Sequence, residues 1–307
     1  MLVHDDRATA ALLPYHRLVP ALRQAMLDRR AGLVHAPQRV VLPLPDDGSY
    51  LVMPASDDRF AIAKLVSVTP ANRARGLPTL HATVIAADAG TGRMLCALDG
   101  PTVTARRTAA VTMLGAETLL GGAPRRVALV GTGAQAWAHA LAMHEYWSPE
   151  AILVVGRTPD AGRAFARGLR DDGIPIAASE LAHALADADC VVCLTTSATP
   201  VLPPTVRPET LVVGVGAFTP AMAELPAALV GARTVVVDDL VGAREEAGDL
   251  IQAGVDWREV GELADYVSLA HPPHAPAGFV LKTVGSAAWD LAAVRAALAG
   301  SVEDRRS

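Results

Sequence analysis

The sequence contains few cysteines, no long apolar run and no excess of positive charge. Its three cysteines are typical of a reduced cytoplasmic protein and are too few for a disulfide framework. No run of about 18 apolar residues occurs, which argues against a membrane-spanning helix, and the acidic start "MLVHDDRATA" lacks the pattern of a signal peptide. A formal net charge of −5 offers no attraction to nucleic acid or to an anionic membrane. We therefore expect a cytoplasmic protein that binds a small molecule, with no nucleic-acid or membrane partner.

Patterns of metal ligands and of catalytic nucleophiles are also missing. The nine histidines show no metal-ligand spacing, and "HPPH" at 271–274 is typical of a proline-rich loop. Cys190 and Cys193 form a C-x-x-C, but the surrounding "CVVCL" indicates a buried strand, where this spacing places the two sulfurs on opposite faces. No G-x-S-x-G motif is present. We expect no metal site.

What is present is a chain of 307 residues, 51% of them hydrophobic, which is enough for two domains. Apolar residues at helical spacing predict a helix over 8–31. Two hairpins are predicted where "RVVLPL" and "YLVMP" flank "PDDGS", and where "TLHATVIAAD" and "RMLCALDG" flank "AGTG". A strand is predicted between them at 60–68, and a helix over 104–120. The first part of the chain therefore predicts helix and antiparallel sheet.

The sequence pattern changes after Arg126, where predicted apolar strands alternate with helical stretches. The predicted strands lie at 127–130, 151–155, 190–194, 211–215 and 234–238. This β-α-β alternation predicts a doubly wound parallel sheet. A last strand, a glycine turn and a helix are predicted from Phe279 onwards.

The stretch "VALVGTGAQA" at 127–136 predicts a phosphate-binding turn. Gly131 and Gly133 follow a strand and precede an alanine-rich helix, and Ala136 completes a G-x-G-x-x-A pattern. Glycines allow the backbone to approach a pyrophosphate, while the helix N-terminus supplies free N–H groups and positive dipole. The alternative is a tight strand-to-helix turn that binds nothing.

The residues after the second strand of this alternation indicate which dinucleotide is bound. An NAD site usually has an Asp or Glu there for the ribose 2′-hydroxyl, but the sequence has "GRT", with Arg157 and Thr158. A guanidinium and a hydroxyl suit a 2′-phosphate, so the sequence favours NADPH, with NADH as a weaker possibility. The alternative is that Arg157 is an ordinary solvated surface residue.

Three cations in the first part of the chain suit an anionic substrate. Lys64 shares a strand face with apolar residues, and a buried lysine needs an anion or loses its proton. Arg107 lies on an apolar helix stripe, and Arg39 opens the first hairpin strand. These residues fit a carboxylate and a pyrophosphate. The alternatives are an edge-strand lysine that reaches solvent and three structural ion pairs.

The chain resembles the ornithine cyclodeaminase/mu-crystallin family over nearly its whole length. The stretches that carry the resemblance include "KLVSVTPANRARGLPTLHATV", "TGRMLCALDGPTVTARRTAA", "VALVGTGAQA", "GVGAFTPAMAEL" and "KTVGSAAWDLAA". The resemblance implies an α/β fold in which a Rossmann domain, expected at 122–284, accompanies an α+β dimerisation and substrate domain. The latter is expected at 1–121 and 285–307, from the N-terminal part and the final helix. It also implies a homodimer.

The resemblance further implies roles for individual residues. Arg39 and Lys64 match positions that hold the substrate carboxylate, with Lys64 as the catalytic residue. Val284, in the closing turn, is expected beside the substrate. The positions that match cofactor contacts are Thr79, Arg107, Gly131, Gly133, Ala134, Gln135, Arg157, Thr158, Thr195, Gly214, Val215 and Thr283.

One departure from the family pattern concerns Phe218. Ornithine cyclodeaminases carry an aspartate at the matching position, and a phenyl ring cannot replace a carboxylate toward an ammonium group. "GAFTP" instead resembles the ketimine reductases that reduce Δ1-pyrroline-2-carboxylate and Δ1-piperideine-2-carboxylate to proline and pipecolate, and Phe218 would contact the substrate ring. The alternatives are another imine or amino-acid dehydrogenase, an ornithine cyclodeaminase, and a non-catalytic NADPH-dependent binding protein.

Overall fold

A computed structural model describes residues 1–171 and 173–299. The strands are β1 (Leu2–Val3), β2 (Val40–Leu44), β3 (Gly48–Ser56), β4 (Phe60–Val68), β5 (Leu80–Asp88), β6 (Met94–Asp99), β7 (Arg126–Val130), β8 (Ala151–Val155), β9 (Ile176–Ala178), β10 (Cys190–Cys193), β11 (Leu211–Gly214), β12 (Thr234–Val237), β13 (Gly261–Glu262) and β14 (Phe279–Lys282). The helices are α1 (Asp6–Leu12), α2 (Tyr15–Arg30), α3 (Gly100–Leu120), α4 (Ala134–Tyr146), α5 (Pro159–Asp171), α6 (Leu181–Ala186), α7 (Ala227–Gly231), α8 (Leu240–Glu246), α9 (Gly248–Ala253), α10 (Leu263–Tyr266) and α11 (Ala287–Leu298), with a 3-10 helix at Pro70–Arg75.

The chain forms two compact units. The first contains Met1–Ala110 and the chain from Ser286 onwards, and the second contains Val111–Gly285. The first boundary therefore lies inside α3, whereas the sequence suggested the end of that helix, at 121. Residues 300–307, which belong to the expected first domain, lie outside the described residues.

The first unit is built on a six-stranded sheet with the order β1-β6-β5-β4-β3-β2. The strands from β2 to β6 pair antiparallel, as the two predicted hairpins require, and β1 pairs parallel with β6. Asp46 and Asp47, between β2 and β3, have φ values of 56° and 57°, as the central residues of a type I′ hairpin turn do. Helix α11 packs on α2 and on β3 and β4.

Two helix boundaries differ from the sequence prediction. The helix expected over 8–31 is two helices, because Pro14 has extended backbone angles and caps the start of α2 and cannot continue the hydrogen bonds of α1. The helix expected over 104–120 begins earlier, at Gly100. The Asp99 carboxylate accepts the Thr102 N–H at 2.8 Å, which stabilises the earlier start.

The second unit is built on an eight-stranded parallel sheet with the order β13-β12-β14-β11-β10-β7-β8-β9. The doubly wound α/β fold predicted from the alternation is thus confirmed. Strand order reverses between β7 and β10, and the crevice at such a switch point is where open α/β sheets bind ligands. The short strands β9 and β13 were not predicted.

No helix in the described ranges combines the length and the hydrophobicity that crossing a membrane requires.

Candidate functional site

The first unit contains a buried cluster of charges around Lys64. This lysine lies in the middle of β4 and is 3% exposed, and its Nζ is 2.7 Å from Oδ2 of Asp290, which is fully buried in α11. The guanidinium of Arg107, in α3, is also buried, with its Nε 3.5 Å from the other carboxylate oxygen of Asp290. The strand alternation that predicted an inward-facing Lys64 is matched by the structure, since Phe60, Ile62 and Val66 on the same face are buried too.

Burial lowers the pKa of Lys64 from 10.5 to about 8. The Asp290 carboxylate opposes this shift, whereas the positive charges of Arg107 and Arg39 add to it. Arg39 is half-buried and directly precedes β2, and its influence on the pKa of Lys64 shows that its charge lies nearby. Two buried cations, Lys64 and Arg107, therefore share the carboxylate of Asp290, and this positive balance suits a further anion.

Sequence reasoning missed Asp290. Its position follows from the start of α11, where the Ser286 hydroxyl caps the helix by accepting the Ala288 N–H, so that Asp290 falls in the first turn. A signal was available, because "AAWDLAA" places one carboxylate in an otherwise apolar stretch.

Thr79 also lies in the first unit, but its side chain is exposed. It precedes β5, and its carbonyl accepts the Thr69 N–H at 2.8 Å. This contact closes the loop that contains the 3-10 helix.

In the second unit, the glycine turn between β7 and α4 has the geometry that a pyrophosphate requires. Gly131 has a φ of 127°, and a Cβ on it would lie 2.7 Å from the carbonyl oxygen of Leu194, so only glycine fits. Gly133 is exposed, and a Cβ there would point into open space. No side chain of the described residues caps α4, which leaves the first-turn N–H groups, including those of Ala134 and Gln135, to an anion. These features fit a dinucleotide.

The end of β8 presents Arg157 and Thr158, both exposed. The Thr158 hydroxyl accepts the Ala161 N–H at 3.2 Å and so caps α5. Asp160, in that first turn, pairs with Arg163 at 2.6 Å, so the Arg163 guanidinium already has a carboxylate partner. Within the described part of the chain, Arg157 has no such carboxylate partner.

The remaining predicted residues of the second unit lie at the carboxyl ends of three neighbouring strands. Thr195 follows β10, Gly214 ends β11 and Val215 follows it, and the Thr283 N–H donates to the Gly214 carbonyl at 3.0 Å. Val284 is half-buried, and its N–H donates to Oδ1 of Asp238 at 2.9 Å. Phe218, in the loop after β11, is 51% exposed. The structure thus groups these residues along the edge of the sheet where ligands bind in this fold.

The thiols of Cys190 and Cys193 are free and fully buried in β10. Burial raises the pKa of both thiols. Both groups therefore stay protonated at neutral pH, when reactivity and metal binding require the thiolate.

Comparison with known proteins gives consistent relatives. The sequence profile described as "Ornithine cyclodeaminase/mu-crystallin family" matches residues 3–296. A Delta(1)-pyrroline-2-carboxylate/Delta(1)-piperideine-2-carboxylate reductase of Azospirillum brasilense is 48% identical over 96% of this chain and 94% of the relative. Delta(1)-pyrroline-2-carboxylate reductase 2 of Burkholderia ambifaria is 48% identical over 95% of this chain and 94% of the relative.

Among solved structures, the Delta(1)-pyrroline-2-carboxylate reductase of Thermococcus litoralis, in complex with NADH and L-proline, matches with a TM-score of 0.87. It is 26% identical, and the match covers 99% of this chain and 98% of that chain.

Proposed function

The chain belongs to the ornithine cyclodeaminase/mu-crystallin family, and from this we propose that it reduces the C=N bond of a cyclic imine carboxylate. It is an NAD(P)H-dependent oxidoreductase, and its substrates are Δ1-pyrroline-2-carboxylate, Δ1-piperideine-2-carboxylate or both, converted to L-proline and L-pipecolate. The observation that carries the proposal is the buried cluster in which two cations, Lys64 and Arg107, share the one carboxylate of Asp290. The excess of positive charge suits a substrate carboxylate.

In the proposed reaction, Arg39 and Lys64 bind the carboxylate and fix the orientation of the ring. A nicotinamide held by this chain would supply the hydride that ring carbon C2 accepts. A proton at the ring nitrogen completes the balance, so that C=N becomes CH–NH. Lys64 is suited to handle this proton because its pKa of about 8 is close to neutral pH, and acid catalysis is efficient when the pKa of the acid is near the operating pH.

We assign NADPH as the preferred cofactor. Arg157 and Thr158 supply a cation and a hydroxyl at the end of β8, where a carboxylate would select NAD, and Asp160 is engaged by Arg163. NADH remains a weaker substrate in this proposal. The contacts of Thr79, Arg107, Thr195, Val215 and Thr283 with the cofactor are part of the same assignment.

Phe218 and Val284 provide the apolar surroundings of a ring that consists mainly of methylene groups. Phe218 stands where the cyclodeaminase pattern has an aspartate, so the chain lacks the carboxylate that would bind the amino group of ornithine. We therefore favour imine reduction over deaminating cyclisation.

We propose a cytoplasmic homodimer formed through the first unit. Three free and buried cysteines suit a reducing compartment. The edge strand β2 exposes Val40, Val41 and Leu42 at about half of their surface (53%, 55% and 49%), and exposed apolar patches of this kind mark interfaces.

The test is an assay of the purified protein with each cyclic imine and each reduced nicotinamide, followed by loss of the nicotinamide absorbance. We expect turnover with the cyclic imines and a higher kcat/KM with NADPH. Arg39→Met should raise the KM for the imine roughly 10- to 100-fold, the value of a charge-assisted hydrogen bond, while Arg59→Met, an exposed arginine of the same unit, should not.

Other outcomes would replace the proposal. Activity with pyruvate and ammonia alone would identify an amino-acid dehydrogenase, and conversion of ornithine to proline would identify a cyclodeaminase. Tight NADPH binding without reduction of any imine would identify a binding protein.

A further inference from the structure

The second unit contains a fully buried carboxylate, that of Glu224, to which no role has yet been given. It lies in the segment between β11 and α7, and both of its oxygens are engaged. Oε1 accepts the Thr195 N–H at 2.6 Å and the Thr195 hydroxyl at 2.9 Å. Oε2 accepts the N–H groups of Gly216 at 2.6 Å and Ala217 at 3.2 Å. One side chain thus joins the loop after β10 to the loop after β11.

Two further buried charges hold Glu224 in place. Oδ1 of Asp249 accepts the N–H groups of Glu224 at 2.5 Å and Leu225 at 2.9 Å. The other oxygen of Asp249 lies 3.2 Å from Nζ of Lys282, at the end of β14, and both side chains are fully buried. The network therefore connects the carboxyl ends of β10, β11 and β14.

Burying the charges of such a network carries a desolvation cost. Buried ion pairs can often be replaced by apolar residues without loss of stability, so a buried arrangement of two carboxylates and one ammonium calls for another reason. Because all four partners of Glu224 act as donors, its carboxylate must remain ionised to accept every bond, although burial raises its pKa.

The position of the network supplies that reason. In a dinucleotide-binding sheet the two halves of the cofactor lie on either side of the switch point, which here separates β7, β8 and β9 from β10, β11 and β14. The glycine turn and Arg157 belong to the first side. Glu224 acts entirely on the second side, where a Cβ on Gly216 would overlap the Thr195 carbonyl and the two loops therefore lie in direct contact.

We propose that Glu224 is a positioning residue for the nicotinamide half of the cofactor. It fixes the loops that begin at Thr195 and Gly216 in the arrangement that receives the nicotinamide and its ribose, and it does not contribute to the adenine half. The inference rests on the proposed nicotinamide cofactor but not on the identity of the imine.

Calorimetric titration with two ligands, one of which lacks the nicotinamide half, tests binding of the two halves of the cofactor separately. Glu224→Gln keeps the volume of the side chain but replaces one acceptor oxygen with an NH2 group, which must then face donors on one of the two loops. We expect the Kd of NADPH to rise at least about tenfold, while the Kd of adenosine 2′,5′-bisphosphate, which lacks the nicotinamide half, changes less than about twofold. Glu259→Gln, the same change at an exposed position of this unit, should alter neither Kd.

An unchanged NADPH affinity, or an equal loss for both ligands, would overturn the proposal. If Glu224→Gln does not fold, hydrogen exchange of the wild-type protein decides the question. We expect the amides of Thr195, Gly216 and Ala217 to be protected before cofactor is added, and fast exchange that slows only with NADPH would contradict a pre-formed arrangement. Failure of the proposed function would look different, as normal NADPH binding without turnover of any imine.

Discussion

Lys64 has a shifted pKa that makes its role measurable. Because its pKa is lowered to about 8, the free enzyme loses the Lys64 proton as pH rises through that value. We expect kcat/KM for the cyclic imine to fall above about pH 8, whereas an ordinary lysine with a pKa of 10.5 would keep its proton to much higher pH. The measurement is a pH profile of kcat/KM.

Variants identify the group responsible for this fall. Lys64→Met should lower kcat/KM at least about 100-fold and remove the change near pH 8, while NADPH binding stays. Lys64→Arg keeps the positive charge and should move the fall in kcat/KM to a pH above the range in which the enzyme can be assayed. A fall near pH 8 that persists in both variants would assign the titration to the substrate or to another group.

Asp290 is the counterion that keeps Lys64 charged in a buried site. In Asp290→Asn the pKa of Lys64 should fall below 8, because the carboxylate is the group that raises it, and the fall of the pH profile should move to lower pH. Loss of one member of a buried pair costs about 3 to 5 kcal/mol. This cost should be greatest at low pH and shrink as pH rises toward 8, because Lys64 of the variant releases its proton below that value.

Urea unfolding of Asp290→Asn at two pH values measures how the loss of stability depends on pH. Asp58→Asn, an exposed carboxylate of the same unit, is the matched control and should leave stability and pH profile unchanged. A profile that does not move in Asp290→Asn would show that this carboxylate does not set the pKa of Lys64.

Arg157 gives a test of cofactor choice. Arg157→Ala should lower the affinity for NADPH roughly tenfold at low salt and leave NADH unchanged, since only NADPH carries the 2′-phosphate. Because the side chain is exposed, the effect should weaken as salt rises. Arg163→Ala is the control, since that guanidinium already pairs with Asp160; equal losses for both cofactors in Arg157→Ala would argue against 2′-phosphate recognition.

Single residues were predictable where a periodic pattern fixed their direction. Strand alternation placed Lys64 on the buried face of β4, and the helical stripe placed Arg107 in a buried position. Asp290 and Glu224 were missed because main partners of each, Lys64 for Asp290 and Thr195 for Glu224, lie far away in the sequence. Those partners decide whether a lone carboxylate is exposed or buried, and the sequence pattern around the carboxylate does not identify them.

At the scale of elements, two substitutions in the glycine turn distinguish an effect on cofactor binding from an effect on folding. Gly133→Ala places a methyl group in open space, so the fold should be kept, while the affinity for NADPH and for adenosine 2′,5′-bisphosphate should fall because the backbone can no longer approach the phosphates. Gly131→Ala should instead destabilise the protein, since its φ of 127° and the close Leu194 carbonyl exclude a side chain. Calorimetry and thermal unfolding of both variants measure this, and an unchanged cofactor affinity in Gly133→Ala would count against pyrophosphate binding at the turn.

The longer elements were predictable and the shortest were not. The nine residues "FAIAKLVSV", seven of them apolar, identified β4 from end to end, and the β-α-β rhythm identified the parallel sheet. The three residues of β9 and the two of β13 carry too little local pattern, and their assignment depends on pairing with a neighbouring strand. The break at Pro14 was missed because apolar spacing continues through it.

For the whole molecule, the central prediction is the homodimer. Val41→Glu, in the exposed strand β2, should shift the mass in solution from two chains to one, because the charge would be buried without a partner in the assembled edge. Leu269→Glu, a leucine of similar exposure (53%) in the second unit, should leave the mass unchanged. Light scattering during size-exclusion chromatography measures both, and a Val41→Glu dimer would place the interface elsewhere.

The two sheets end in different ways. The eight-stranded sheet stops at β9 and β13, which are too short to recruit another strand. The six-stranded sheet has one equally short edge, the two-residue β1, but its other edge is β2, with five residues and an apolar surface. Pro43 removes one backbone donor from that edge, but Val40, Val41 and Leu42 remain open to any strand that meets them. If the dimer covers this edge, dilution uncovers it. Stability of the protein on storage would then depend on its concentration. Aggregation after dilution would begin at β2 rather than at the candidate active site.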